Sequence, residues 1–133
     1  MAVFSAERVA QMNSTLDHLL QTHRPTRNAH FVASFEAGDE VLTVEVGAGS
    51  GQVRTGRHGE ADFGLSGAAE DWERYFAERP VSHGSLITMI AATAVSSGVY
   101  PSVLAPSGDV ERLFANLPVY NTVIESATIG GPR

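Results

Sequence analysis

The most constraining feature of this sequence is residues 60–76, where an alternating pattern gives way to a helical one. Ala61, Phe63 and Leu65 would share one face of a strand, because successive side chains of a strand point to opposite faces. A turn at Ser66 would then lead into a helix, and strand and helix together would make one apolar corner. The helix is expected to carry its aromatic side chains on one side: Trp72, Tyr75 and Phe76.

Composition limits the classes of partner and reaction that this chain can serve. Its 133 residues are enough for one domain, spanning 1–133, with a real hydrophobic core. The net charge is -6 and the nine basic residues are scattered, which argues against nucleic acid as a partner. The chain has no cysteine, so disulfides, thiol nucleophiles and thiolate metal sites are excluded.

The pattern of apolar residues predicts a cytoplasmic protein without integral membrane association. The first residues lack the basic region and long apolar run of a secretory signal. The longest apolar stretch, residues 86–95, is too short to span a bilayer and contains two threonines.

Periodicity predicts a mixture of helices and short strands. Phe31, Ala33 and Phe35 would share a face of the first strand, and the strands in the first half of the chain are expected to form an antiparallel meander. The predicted strands are 31–36, 41–46, a short one at Val53, 61–65 and 99–104, where Pro101 would place the last strand at an edge. The predicted helices are 6–22, capped by Ser5, then 68–78, 85–97, one that starts at residue 107 and one after Pro118.

The glycine-rich residues 47–51 are interpreted as a hairpin turn. Phosphate-binding glycines precede a helix, whose N-terminus holds the phosphate, whereas these glycines join two predicted strands. A turn between strands is the common use of such a sequence.

Support for catalysis is thin and rests on four polar residues. His83 precedes an apolar helix and could act as a general base, but the simpler interpretation is a solvated histidine beside a helix cap. Asp62 is interpreted as a surface partner of Arg54 on a neighbouring strand, or as a solvated carboxylate. The five histidines lack metal-ligand spacing, so neither a metal nor a cofactor is predicted. The weak catalytic candidates are His83, Asp62, Tyr75 and Tyr120.

The large apolar residues have two interpretations, an ordinary core or the lining of a ligand pocket. Helix 85–97 is apolar on nearly every side, so it would be a core helix, a cover or a dimer contact. The number of helices facing one small sheet favours a ligand-binding space. The candidate ligand-binding residues are Phe35, Phe63, Trp72, Phe76, Met89 and Phe114.

At two places the sequence resembles the sterol carrier protein type 2-like (SCP2-like) family. Residues 61–67, followed by Glu70, Asp71 and Trp72, look like the family's Ala-Asp strand and turn before an acidic-aromatic helix. Residues 107–109, followed by Leu113 and Phe114, are similar to its late Gly-Asp turn. The order of elements along nearly the whole chain fits as well, except that helix 85–97 replaces a short link.

This resemblance implies an α+β fold in which an antiparallel five-stranded sheet is covered on one face by about five helices. It also implies an apolar tunnel between the two layers that binds fatty acyl chains, sterols or other lipids. The first hypothesis is therefore that this protein binds a hydrophobic small molecule, with transfer of that molecule as a further option. The alternatives are an isomerase, cyclase or hydrolase of secondary metabolism that uses the same space, and an interaction protein that forms a homodimer.

Overall fold

The computed structural model describes residues 2–77 and 105–127. In this part the helices are α1 (Ala6–Thr22), α2 (Arg24–Asn28), α3 (Ala69–Ala77), α4 (Val110–Ala115) and α5 (Leu117–Glu125). The strands are β1 (Phe31–Ala37), β2 (Glu40–Gly47), β3 (Ser50–Thr55), β4 (Phe63–Gly67) and β5 (Ala105–Gly108). The predicted α+β class is confirmed.

Four of the five predicted helices lie in the described part, as α1, α3, α4 and α5. The fifth, 85–97, lies outside the described residues, as does the predicted strand 99–104. The single-turn helix α2, which has Pro25 in its first turn, was not predicted. No helix in the described ranges is both long and apolar enough to cross a membrane.

Local signals place the start of α1 and the β2–β3 turn as predicted. Two other bounds were wrong, because β4 begins at residue 63 and not 61, and the helix predicted from residue 107 begins only at residue 110, after the strand β5. The side chain of Ser5 accepts a hydrogen bond from the backbone N–H of Arg8 and so caps α1. The side chain of Asp109 caps α4 in the same way, through the N–H of Arg112. Residues 47–51 form the predicted hairpin, in which Ala48 and Gly49 occupy positive φ between the paired residues Gly47 and Ser50.

The sheet is mixed, which corrects the predicted antiparallel meander. Its strand order is β3-β2-β1-β4-β5, and β4 runs parallel to β1, whereas the other neighbouring strands are antiparallel. Residues 56–62 carry the chain across the outer face of β2 and β1 instead of turning back on β3. Thr43 of β2 holds the start of this crossing, because its hydroxyl donates to the carbonyl of Gly56 and accepts from the N–H of His58.

The face of the sheet opposite this crossing carries the core. Phe31, Ala33 and Phe35 pair with Val46, Val44 and Leu42, and all six side chains are buried, as the alternating pattern predicts. The helices pack on the same face, where α1 contributes Met12 and Leu16 to the same apolar cluster. The apolar layer therefore lies between the sheet and the helices.

The outer edge of β3 is closed by one side chain of α1. The amide of Asn13 accepts from the N–H of Val53 at 2.8 Å and donates to its carbonyl at 2.9 Å. Asn13 thus makes the two hydrogen bonds that a neighbouring strand would make, which removes an exposed edge at this point.

Replacing Asn13 with Ala is expected to lower the free energy of unfolding by about 1–3 kcal/mol, because both backbone groups of Val53 lose their partner. Urea unfolding followed by circular dichroism measures this loss. Gln11→Ala, at an exposed position of the same helix, is the matched control and should change stability by less than about 0.5 kcal/mol. Equal losses in the two variants would contradict a role for Asn13 at the strand edge.

Candidate functional site

A continuous cluster of aromatic rings fills the layer between the sheet and the helices. Phe35, near the centre of β1, lies 6.2 Å from the ring of Trp72 and 5.5 Å from that of Tyr120. The cluster extends from Tyr120 to Phe63 at 5.6 Å and from Trp72 to Phe76 at 6.1 Å. We call it the aromatic cluster; its members within the described part, each at most 3% exposed, are Phe4, Phe31, Phe35, Phe63, Trp72, Phe76 and Tyr120.

Two hydrogen bonds orient the amphipathic members of this cluster. The indole Nε1 of Trp72 donates to the carbonyl of Glu36 at 2.9 Å, which joins α3 to β1. The hydroxyl of Tyr120 donates to the carbonyl of Leu113 at 2.9 Å, which joins α5 to α4. Both polar tips are therefore satisfied by backbone, and the ring faces remain available for apolar contacts.

The structure brings four of the six candidate ligand-binding residues together. Phe35, Phe63, Trp72 and Phe76 belong to the aromatic cluster. Phe114 lies on α4 with 46% of its surface exposed. Met89 lies outside the described residues. Whether these side chains contact a ligand stays a prediction.

The segment that precedes α1, residues 2–5, contributes buried side chains that were not predicted. Val3 and Phe4 are 2% and 3% exposed, and the ring of Phe4 contacts Trp72 edge-on at 5.6 Å. One signal could have found this segment, because Phe4 directly precedes the capping residue of α1. An apolar residue at that position often packs against the fourth helical residue, here Val9.

Charged side chains hold the segment before α1 in place. The carboxylate of Glu40 accepts from the N–H of Val3 at 2.8 Å and from the N–H of Phe4 at 3.2 Å. The guanidinium of Arg8 donates to the carbonyl of Val3 at 2.8 Å and pairs with the carboxylate of Glu73. These are charge-assisted hydrogen bonds, which are stronger than those between neutral groups.

Asp62 forms a different ion pair from the one expected. Its carboxylate accepts from the N–H of Val32 at 2.8 Å and lies 3.0 Å from the guanidinium of Arg112. Arg54 instead pairs with Glu45 at 3.4 Å. The expected Asp62–Arg54 pair was wrong because β4 lies beside β1, whereas Arg54 lies on β3 at the far side of β2.

The catalytic candidates have no shared site in the described residues. Burial raises the pKa of Tyr120, whose hydroxyl is engaged by Leu113, and Asp62 is engaged by Val32 and Arg112. His83 and the side chain of Tyr75 lie outside the described residues, so an enzymatic role stays a prediction. Within residues 2–77 and 105–127, no three His, Asp or Glu side chains form a group that could hold a metal ion.

Among the surface clefts of the described part, two border residues of the aromatic cluster. The first has a volume of about 530 Å³ and surrounds the β2–β3 hairpin, with His30, Glu45 and Asp62 among its lining residues. The second has a volume of about 630 Å³ and lies between the segment before α1, α1 itself and the near ends of β2 and β3. Of the aromatic cluster, Phe31 borders the first cleft and Phe4 borders the second.

Solved structures share this arrangement of sheet and helices. One is described as "UbiJ-SCP2 Ubiquinone synthesis protein"; it has a TM-score of 0.56 and 14% identity, and the match covers 86% of this chain and 94% of that chain. Another is a conserved hypothetical protein from Thermus thermophilus, described as "possibly sterol carrier protein". It has a TM-score of 0.60 and 11% identity, with 96% of this chain and 91% of that chain covered. The chain has the SCP2-like fold.

The assignment to this fold rests on the similarity to solved structures, and it agrees with the two sequence patterns at residues 61–72 and 107–114. No protein-family model matches the chain, and the search of curated proteins found no match. The predicted resemblance is confirmed at the level of the fold. In this protein the sheet of that fold is mixed, because β1 and β4 pair in parallel.

The buried phenol of Tyr120 should make the free energy of unfolding depend on pH. The folded SCP2-like domain keeps this group protonated where the unfolded chain releases its proton, at about pH 10. The contribution of Tyr120 to the free energy of unfolding is therefore constant below about pH 10. Above that pH it falls by about 1.4 kcal/mol per pH unit.

Tyr120→Phe removes this pH dependence and also the hydrogen bond to Leu113, which contributes about 1 kcal/mol. The variant should be less stable than the wild type at about pH 8, and the difference should shrink or reverse by about pH 11. Chemical denaturation at a series of pH values measures both effects. A difference that does not change with pH would contradict the prediction.

Proposed function

We propose that the protein binds a hydrophobic small molecule, such as a sterol, a fatty acyl compound or another lipid, between its sheet and its helices. The SCP2-like fold supports this proposal, and one structure that shares the fold is described as a possible sterol carrier protein. The observation that carries the proposal is the aromatic cluster, because its rings form one connected apolar layer from β4 to α3.

The chemistry of this layer favours an apolar guest over a polar one. The polar atoms of Trp72 and Tyr120 already bond to backbone carbonyls, so the layer offers ring faces and aliphatic groups. Each 100 Å² of apolar surface that the guest removes from water contributes about 2.5 kcal/mol. Part of this gain is offset by the loss of freedom of the guest and of the rings that move to admit it.

Reversible binding of this kind would suit a carrier that transfers its guest between sites in the cytoplasm. A homodimer through residues 85–97 stays a separate prediction, because those residues lie outside the described part.

The direct test is to identify what the purified protein carries. Native mass spectrometry is expected to show a bound lipid-like mass that organic extraction removes. Trp72 is the sole tryptophan and lies in the aromatic cluster, so its emission should change when delipidated protein is titrated with oleic acid or cholesterol. The absence of any co-purifying lipid, together with unchanged emission for both compounds, would refute the proposal.

Phe114 offers a variant that separates binding from stability. Phe114→Ser should weaken lipid binding about fivefold, because a half-exposed phenylalanine contributes about 1 kcal/mol of apolar contact to a guest. Its free energy of unfolding should fall by no more than about 1 kcal/mol, since about half of the ring is exposed, so the variant should stay folded.

The control is Ala115→Ser, at the exposed neighbouring position of α4. It should leave both the dissociation constant and the stability at wild-type values. Titration of Trp72 fluorescence and urea unfolding measure the two quantities. If Phe114→Ser binds lipid as tightly as Ala115→Ser, Phe114 is not part of the site.

A further inference from the structure

The segment before α1 occupies space inside the aromatic cluster. Phe4 lies edge-on to two rings of α3, at 5.6 Å from Trp72 and 6.4 Å from Phe76. It is 3% exposed, although it belongs to a short irregular stretch and to no helix or strand. A ring from a loop thus takes a place that would suit part of a hydrophobic guest.

In the part of the chain that the structure describes, two charged side chains make the polar contacts that hold the backbone of this segment. Glu40 binds the N–H groups of Val3 and Phe4, and Arg8 binds the carbonyl of Val3 from the other side. Arg8 is itself positioned by Glu73 and by the ring of Phe76, 4.6 Å from its guanidinium carbon. Release of this clamp would free the backbone of the segment without breaking a helix or the sheet.

An open cleft lies directly outside Phe4. This cleft of about 630 Å³ is bordered by Phe4, by Val9 and Ala10 of α1, and by Glu40 and Thr55. Phe4 therefore contacts the cleft on one side and Trp72 on the other. If Phe4 moved out, the cleft would open into the aromatic cluster.

We propose that Val3 and Phe4 form a gate, and that the hydrophobic guest enters through this cleft when the gate opens and takes the place of Phe4. This inference rests on the proposed function and names the entrance and its regulation. In the closed state Phe4 and the guest compete for the same space in the aromatic cluster. The apparent dissociation constant is then the intrinsic one divided by the fraction of open protein, so any change that favours opening tightens binding.

The decisive variant is Glu40→Gln, which keeps the size of the side chain but removes the charge that binds Val3 and Phe4. Loss of charge-assisted hydrogen bonds should raise the open fraction, and with it the apparent affinity for the neutral dye Nile red, by about tenfold. Stopped-flow mixing should show a faster association rate, and acrylamide should quench the emission of Trp72 more strongly. Glu45→Gln, at an exposed position of the same strand, is the matched control and should behave like the wild type.

Phe4→Ala tests the gate by removing its ring. Its control is Leu16→Ala, which removes a buried apolar side chain of α1 that lies outside the aromatic cluster and does not border the cleft. Both variants leave a cavity, but only Phe4→Ala should speed the association of Nile red and increase the quenching of Trp72. If Leu16→Ala does not fold, the comparison of Glu40→Gln with Glu45→Gln decides alone.

The outcomes separate the gate from the proposed function. If the wild type binds Nile red, and Glu40→Gln and Phe4→Ala leave its association rate and the quenching of Trp72 unchanged, the gate is wrong and the function stands. If quenching increases but neither the wild type nor any variant binds Nile red, oleic acid or cholesterol, the proposed function is wrong and the gate has no guest to admit.

Discussion

The contact of Phe35 with Trp72 and Tyr120 is the interaction on which the rest of this structure depends. It joins the middle strand of the sheet to two helices, α3 and α5, which are far apart in the sequence. Because the polar tips of Trp72 and Tyr120 bond to backbone carbonyls, the whole layer between sheet and helices can be apolar. If the proposed function holds, the residues that stabilise the domain also line the site for the guest, and stability and binding depend on the same surface.

The parallel pairing of β4 with β1 determines which charged side chains meet at the start of β1. Gly64 makes this pairing possible, since a Cβ atom there would lie 2.4 Å from the carbonyl oxygen of Ser34. The pairing also brings Asp62 to the start of β1, where its carboxylate binds Val32 and Arg112. The ion pair ties α4 to the first residues of the sheet, so an aspartate that looks like a surface or catalytic group from its sequence serves to connect two elements.

Most of what could be predicted follows from local periodicity. The alternation of Phe31, Ala33 and Phe35 predicts their common face, and the helical spacing of Trp72 and Phe76 predicts their common direction; both are observed. The pairing of β4 could not be predicted, because alternation specifies the face of a strand and not its neighbour. The insertion of Phe4 into the cluster was not predicted for a related reason. The few residues before α1 form too short a stretch to show a hydrophobic periodicity.

By itself, the sequence determined which side chains are apolar, how they alternate and where Ser5 begins its helix, because these properties depend on neighbours within a few residues. Only the tertiary structure decided that residues 56–62 cross the sheet, that Asp62 meets Arg112 and that Phe4 reaches Trp72. Each of these contacts joins parts of the chain whose distance in space depends on the path of the intervening residues. That path minimises the free energy of the whole domain, and no short stretch of sequence records it.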